Sequence, residues 1–178
     1  MAARLGTAGG SSTRQHAADR QSELSLMTGW RSAQPEDMDM LVGWLDSPEG
    51  LARWGGPLLT WPVQADQLWQ QINAETLPSF SLEENGELQA FGQLSPRDQD
   101  TTWHLCRLIV APHLRNQRLG EKLCRHLEAQ AASLGGTRVT LNVAVDNQPA
   151  LRLYQRLGYI SSSAPVDERG VQPMARQL

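Results

Sequence analysis

The sequence has no long apolar run and no excess of positive charge. Its 178 residues include 16 Lys and Arg against 19 Asp and Glu, a formal net charge of −3. No stretch approaches the roughly 20 apolar residues of a membrane-spanning helix. The charge balance gives no overall case for binding nucleic acid or an anionic membrane. With 40% apolar and 20% charged residues, the composition is typical of a soluble globular protein with one core.

Metal-binding and redox motifs are also missing. The cysteines, Cys106 and Cys124, stand far apart without a CxxC motif, which favours two small buried residues in a reducing compartment. The histidines His104, His113 and His126 lack metal-ligand spacing, and the chain contains no GxSxG or Walker motif. We therefore predict a cytoplasmic protein without a bound metal.

The first 26 residues hold few large apolar side chains. They are rich in Ala, Gly, Ser, Thr, Gln and Arg, too polar to offset the entropy of ordering, and they lack the apolar segment of a secretory signal. We predict a disordered tail over 1–26 and a single domain over 27–178. The acid-free residues 1–18 leave a transit peptide open, and Met27 leaves open a natural start behind an upstream or artificial tail.

Residues 29–74 favour a short strand and three helices. The segment 29–33 suggests the strand, and Pro35 followed by two acids is typical of a helix start. Apolar residues then recur at helical spacing, at Met38, Leu41, Val42 and Leu45. Shorter helical segments are predicted at 51–54 and 63–74.

A hairpin and a third strand come next. Phe80 and Leu82 alternate with polar residues, and the sequence Glu-Asn-Gly-Glu over 84–87 is typical of a hairpin turn. The alternation at 88–94 predicts the returning strand. A turn is predicted over 95–100, and a buried strand over 102–110.

An arginine-rich loop follows that buried strand. Pro112 ends the strand because it lacks an amide donor, and two arginines, Arg115 and Arg118, precede a helix predicted from about Gln117. The helix shows apolar residues at helical spacing, at Leu119, Leu123, Leu127, Ala131 and Leu134. A helix N-terminus offers unpaired amides and a positive dipole end, so this loop suits a phosphate or pyrophosphate.

The C-terminal third shows the clearest alternation in the chain. Residues 138–145 alternate apolar and polar, Asp146 and Asn147 supply a helix N-cap, and a helix runs to a glycine cap at Gly158. A strand at 159–160 and a terminal edge strand at 171–178 complete the order β-α-α-α-β-β-β-α-β-α-β-β. This order predicts an α/β (α+β) protein, an antiparallel half joined to a βαβ half.

Two patterns stand at fixed separation: Val110-x-Pro-x-x-Arg115-x-x-Arg118-x-Gly120, and Asn147-x-x-Ala-x-x-Leu-Tyr154-x-x-x-Gly-Tyr. Together they resemble the GNAT superfamily of acyl-CoA-dependent N-acetyltransferases over about residues 103–160. The resemblance implies a mixed, mostly antiparallel sheet of six to seven strands flanked by helices, splayed between the fourth and fifth strands. One departure is that Arg118 stands where the family usually has Gly. We expect its side chain to point outward.

The resemblance also implies a co-substrate and its contacts. Acetyl-CoA would place its pyrophosphate on the amides of the Arg115–Gly120 loop and its pantetheine in the splay. In this family the tyrosine of the second pattern, here Tyr154, protonates the leaving thiolate as general acid. The cofactor-binding residues implied are Leu108, Ile109, Val110, Arg115, Asn116, Gln117, Arg118, Leu119, Gly120, Asn147, Ala150 and Tyr154.

The acceptor is left open by the sequence. The attacking amine must lose its proton, and His104, Glu83 and Glu84 are candidate bases by location, each with the alternative of a plain surface or packing residue. Trp54 is a candidate wall of the acceptor pocket, with simple packing as the alternative. We predict an N-acetyltransferase for a small-molecule or peptide amine, monomeric or homodimeric. A non-catalytic acyl-CoA-binding sensor or interaction module is the alternative.

Overall fold

The computed structural model describes residues 29–97, 101–162 and 166–178. The predicted disordered tail over 1–26, and part of the turn predicted over 95–100, lie outside the described residues. Among the described residues, no helix is both long and apolar enough to span a membrane.

The described residues form seven strands and five helices, in the predicted order. The strands are β1 (Gly29–Ser32), β2 (Ser79–Glu84), β3 (Glu87–Pro96), β4 (Thr102–Val110), β5 (Arg138–Ala144), β6 (Ile160–Ser161) and β7 (Val171–Gln177). The helices are α1 (Asp37–Trp44), α2 (Pro48–Gly55), α3 (Ala65–Gln71), α4 (Leu119–Ser133) and α5 (Gln148–Arg156), with a 3₁₀ turn at Pro112–Leu114.

The strands form one sheet in the order β1-β2-β3-β4-β5-β7-β6. Every neighbouring pair is antiparallel except β4 and β5, which are parallel. The mixed, mostly antiparallel α/β sheet is therefore confirmed. The prediction of β7 as an edge strand is wrong: β7 lies between β5 and β6, because the short β6 adds to its outer side.

Helices cover the two faces of the sheet unequally. On one face, α1 to α3 pack on the first half of the sheet around Met38, Leu68 and Phe91. On the other face, α4 and α5 pack around Leu105, Leu127 and Leu141. Alternate residues of a strand point to opposite faces. His104 and Thr140 therefore lie on the face that carries α1 to α3, beyond the end of that helical layer.

Strand β2 buries its polar face more deeply than its apolar one. Phe80 and Leu82 are only half-buried, whereas the polar residues Ser79, Ser81 and Glu83 are buried. Helices cover both faces of this strand, and the polar side chains find partners inside: Ser81 Oγ, for example, donates to Asp37 Oδ2 at 2.7 Å. Alternation alone could not show which face would carry that network.

Local backbone chemistry explains two helix starts. Helix α2 is longer than the predicted 51–54, because Ser47 caps it by accepting a hydrogen bond from the Gly50 amide. Helix α4 begins at Leu119 and not at about Gln117, because Arg118 has a left-handed φ of 62° that cannot continue a right-handed helix.

Candidate functional site

Strands β4 and β5 separate part-way along their length. They pair only from Thr102 to Leu105 and from Arg138 to Leu141. Beyond these residues, β4 stays paired with β3 as far as Val110, and β5 stays paired with β7 as far as Ala144. The predicted splay is therefore present, and it leaves two strand edges facing each other without a partner between them.

Strand β4 carries a bulge inside this splay. Its register against β3 shifts between Phe91 and Gln93, and Arg107 takes a left-handed φ of 53°. The indole Nε1 of Trp54 donates to the Arg107 carbonyl oxygen at 2.9 Å, and its ring packs against Phe91. Trp54, predicted as an acceptor-pocket wall, thus ties α2 to the bulge.

The loop before α4 presents unpaired backbone amides. Asn116 and Arg118 both have left-handed φ values, 64° and 62°, so the backbone turns sharply twice. Among the hydrogen bonds of the described residues, none is donated by the six consecutive amides from Asn116 to Glu121, and the first amide with an acceptor is that of Lys122, to Arg118 O. Concave runs of free amides at a helix start bind anions.

The side chains of the loop leave these amides accessible. Arg115, Asn116, Gln117 and Arg118 are all exposed, and within the described part of the chain neither arginine forms an ion pair. Leu119 is buried under the helix start. Gly120 faces α5, where an added Cβ would lie 3.3 Å from Leu153 Cδ2, so the glycine allows the two helices to approach closely.

Helix α5 begins on the far side of the splay. Asn147 Oδ1 caps it by accepting from the Ala150 amide at 3.3 Å, so this oxygen already has a structural role. Tyr154 packs edge-on against Tyr159, with ring centroids 5.8 Å apart. Burial, together with the nearby Cys124, raises the pKa of the Tyr154 phenol well above its ordinary value. The phenol is therefore protonated at neutral pH.

A cavity of about 370 Å³ opens on the opposite face of the sheet, beside the point where β4 and β5 part. Residues from β4, β5 and β7 line it, with Arg97 and Ser162 near its rim; they include Thr102, His104, Arg138, Thr140, Asn142 and Pro173. The cavity has the size of a small-molecule site.

His104, predicted as a candidate base, lies in this cavity. Only 8% of the residue is exposed, and its Nδ1 lies 2.9 Å from Thr140 Oγ1. Burial, reinforced by the positive charges of Arg97 and Arg107, lowers the His104 pKa to about 4. The ring is therefore neutral at pH 7, able to accept a hydrogen bond but weak as a proton acceptor.

Glu83 and Glu84 are not brought to the cavity. Glu83 Oε2 accepts from Arg31 Nε at 2.8 Å, and the same guanidinium binds Asp37 at the start of α1. Glu84 Oε2 accepts from Gln89 Nε2 across the hairpin. Both carboxylates thus have partners, and both lie on β2, two strands away from β4.

Arg107 is the main residue that sequence reasoning missed. Its Nη1 donates to Gln93 Oε1 at 2.9 Å, and Gln93, fully buried, is held in turn by Ser79 Oγ at 2.8 Å. The signal was a charged residue inside the apolar run Leu105–Val110. The described residues contain no group of three or more His, Cys, Asp or Glu arranged to hold a metal.

The parallel pair β4 and β5 splays beside a helix N-terminus whose amides have no acceptor among the described residues. A sequence profile of the Acetyltransferase (GNAT) family matches residues 42–159. That match spans more than half of the chain, so the protein belongs to the GNAT family of acetyltransferases. Acetyl-CoA is the co-substrate that this membership implies.

Solved structures agree with the fold. The chain is similar to the yncA acetyltransferase from Salmonella typhimurium with its cofactor acetyl-CoA, at 20% identity and a TM-score of 0.67, over 83% of this chain and 92% of that one. It is also similar to spermidine N-acetyltransferase from Vibrio cholerae in complex with CoA and spermine, at 17% identity and a TM-score of 0.68, over 83% of this chain and 94% of that one. A third similar structure is the ribosomal-protein-S18-alanine N-acetyltransferase from Escherichia coli, at 21% identity and a TM-score of 0.62, over 83% of this chain and 92% of that one.

Proposed function

We propose that this chain transfers an acetyl group from acetyl-CoA to a primary amine, with the Arg115–Gly120 loop as the pyrophosphate site and Tyr154 as general acid. The observation that carries the proposal is the run of six amides from Asn116 to Glu121 that have no acceptor among the described residues, at the head of a 15-residue helix and beside the splay.

The loop fits a pyrophosphate in three ways. The free amides converge at the positive end of the helix dipole. The exposed Arg115 and Arg118 add two positive charges without a competing carboxylate partner among the described residues. Gly120 keeps α5 close to the helix start. Arg118 replaces a glycine of the family pattern, but its exposed side chain leaves the amides open.

The splay provides the remaining contacts. The facing edges of β4, including Leu108, Ile109 and Val110, and of β5 beyond Leu141 have no strand between them, so their backbone groups can bind an extended amide-bearing chain such as pantetheine. Asn147 and Ala150, at the start of α5, are the proposed contacts on the far side of this opening.

Acetyl-CoA supplies a reactive thioester, and its opening by an amine releases a thiolate. Tyr154 can give a proton to that thiolate, because the phenol is fully protonated at pH 7. Its raised pKa exceeds that of a thiol, about 8.5. Complete transfer is then uphill, and the phenol acts mainly through a strong hydrogen bond that stabilises the developing negative charge.

The amine must be neutral to attack. An alkylamine with a pKa near 10.4 is mostly protonated at pH 7. With a pKa of about 4, His104 is too weak to remove that proton fully, so solvent must take it. We therefore expect kcat/KM to rise about tenfold per pH unit above pH 7, with no inflection from His104.

The test is release of CoA thiol from acetyl-CoA over a panel of amines, polyamines, amino acids, antibiotics and N-terminal peptides. With an acceptor in hand, Tyr154→Phe should lower kcat by roughly 100-fold or more without weakening CoA binding by calorimetry. The matched control is Tyr159→Phe, which removes the phenol oxygen of the neighbouring ring and should keep kcat within about twofold.

Two results would count against this proposal. Unchanged turnover by Tyr154→Phe would remove its assignment as general acid. Thiol release from no amine, combined with tight acetyl-CoA binding, would instead favour the binding-only sensor.

A further inference from the structure

The cavity beside the splay is cationic, and this bears on the acceptor. Arg97 and Arg138 line it, and Arg107 follows three residues after His104 on the same strand. Among the described lining residues there is no Asp or Glu. The remaining polar groups include the side chains of Thr102, Thr140, Asn142 and His104, which can donate or accept hydrogen bonds.

Arg107 is held in place without a carboxylate partner. Its Nη1 donates to the buried Gln93 Oε1 at 2.9 Å and to Cys106 Sγ at 3.9 Å, and its buried Nε has no hydrogen-bond partner among the described residues. A partly buried cation is costly unless an anion accompanies it. The residue also adopts a left-handed φ of 53°, a strain that non-glycine residues retain mainly at functional sites.

We propose that the acceptor is a small amine that also carries an anionic group, a carboxylate or a phosphate, and that this group binds between Arg138 and Arg97, which line the cavity. This inference rests on the proposed acetyl transfer and names its substrate class. The anion would occupy the cavity while the amine reaches the splay beside Leu108.

The geometry limits the length of such an acceptor. Strand residues advance about 3.3 Å each, so His104 and Leu108 lie roughly 13 Å apart along β4, and Arg107 is adjacent to Leu108. An anion held by Arg138, which pairs with Thr102 at the start of β4, therefore suits a long spacing between nitrogen and anion. Polyamines, with positive charge along their length, are disfavoured by the same cations.

The experiment compares matched acceptors in the thiol-release assay. Linear ω-amino acids with three to eight carbons are each paired with their ω-amino amides, aminoalkyl phosphonates replace the carboxylates in a second series, and spermidine is the polycation. We expect kcat/KM for at least one anionic amine to exceed that of its amide by about 10-fold or more, the effect of a charged hydrogen bond.

Two arginine variants locate the effect. Arg138→Gln should reduce the anion-to-amide ratio about 10-fold, and Arg97→Gln should reduce it less. Asp98 and Asp100, which follow Arg97 in the sequence, lie outside the described residues, so Arg138→Gln is the decisive variant. The control Arg156→Gln, on an exposed position of α5 across the sheet, should leave the ratio unchanged.

Failure of this inference differs from failure of the proposed function. Equal rates for acids and amides, or a preference for spermidine, would overturn the anionic acceptor while leaving acetyl transfer intact. If no amine is acetylated, calorimetry with 5-acetamidopentanoate and 6-acetamidohexanoate, which carry the anion without the amine, still tests the cavity. Binding that Arg138→Gln weakens would support the inference, and the absence of binding would overturn it.

Discussion

Two partly buried arginines in this protein have opposite surroundings. Arg31, between β1, α1 and β2, contacts two buried carboxylates, Asp37 at 2.7 Å and Glu83 at 2.7 Å. Arg107, in the β4 bulge, contacts one neutral amide oxygen. The charge of Arg31 is neutralised inside the fold. Arg107 lies next to the splay, and its Nε has no hydrogen-bond partner among the described residues.

This difference in partners distinguishes Arg31, whose charge stabilises the fold, from Arg107, whose charge remains able to attract a ligand. Burial alone would raise the Asp37 pKa, but hydrogen bonds from Arg31, the Gln34 amide and Ser81 outweigh it and hold the pKa below its ordinary value. The Arg31 pKa is raised, chiefly by its bond to Asp37. Near Arg107, by contrast, burial together with the positive charges of Arg97 and Arg107 lowers the pKa of His104.

The largest predicted effect on stability concerns the Arg31 network, in which the positive charge has carboxylate partners. Asp37→Ala removes a buried carboxylate that Arg31, Ser81 and the Gln34 amide all contact. Breaking such a pair from one side typically costs about 3–5 kcal/mol, which we expect in the free energy of unfolding by urea. Asp39→Ala, an exposed acid on the same helix, should cost less than about 0.5 kcal/mol. Equal losses of unfolding free energy for the two variants would show that Asp37 stabilises the fold no more than an exposed acid does.

The second prediction concerns the region of Arg107, where the titration of His104 should make stability depend on pH. Its folded pKa of about 4 lies below the unfolded value near 6.5. The unfolded state therefore binds more protons, and stability is lost as pH falls from 6.5 towards 4. Between pH 7 and pH 4.5 this costs roughly 2.5 kcal/mol. In urea titrations at both pH values, His104→Gln should lose less stability than the parent by about that amount. An equal loss in both proteins would show that His104 is protonated as readily when folded.

The two regions also differ in how far the sequence predicts them. Element order and the loop before α4 follow from local patterns, because periodicity and the strand-loop-helix order are set by neighbouring residues. The splay was expected only from the resemblance to the family. The Arg31 network joins residues 31, 37, 81 and 83, and the alternation on β2 does not show that its polar face is the more buried one. The cavity draws side chains from three strands, and its arginines have no common spacing, so only the folded sheet brings them together.

The candidate site residues also differ in whether local sequence or tertiary contacts determine their surroundings. The Arg115–Gly120 and Asn147–Tyr154 patterns correspond to a loop conformation and two helix starts, which a sequence can show. Glu83 was a reasonable candidate base by its place on a strand, yet pairing with Arg31 is a tertiary property. Arg107 was recognisable only as an oddity in an apolar strand, because the bulge that gives it a left-handed φ arises from pairing with β3.

A third arginine supplies the smallest predicted effect. Arg118 is exposed and has no ion pair among the described residues, but its φ of 62° costs a non-glycine residue roughly 1–2 kcal/mol. Arg118→Gly should relieve this strain at the expense of greater freedom in the unfolded chain, a net stabilisation of about 1 kcal/mol. Thermal unfolding should show it as a rise in Tm of roughly 2–4 °C.

Arg115→Gly is the matched comparison for that effect. Arg115 lies in the same loop with φ −64° and ψ 156°, an extended conformation that any residue adopts. Glycine there should therefore destabilise by about 0.5–1 kcal/mol. Both variants remove one exposed positive charge from the proposed pyrophosphate site, so their electrostatic effects on CoA affinity are similar. Opposite shifts in Tm would show that backbone conformation explains the family's glycine at position 118. A lower Tm for both variants would mean that the Arg118 side chain makes a stabilising contribution larger than the strain.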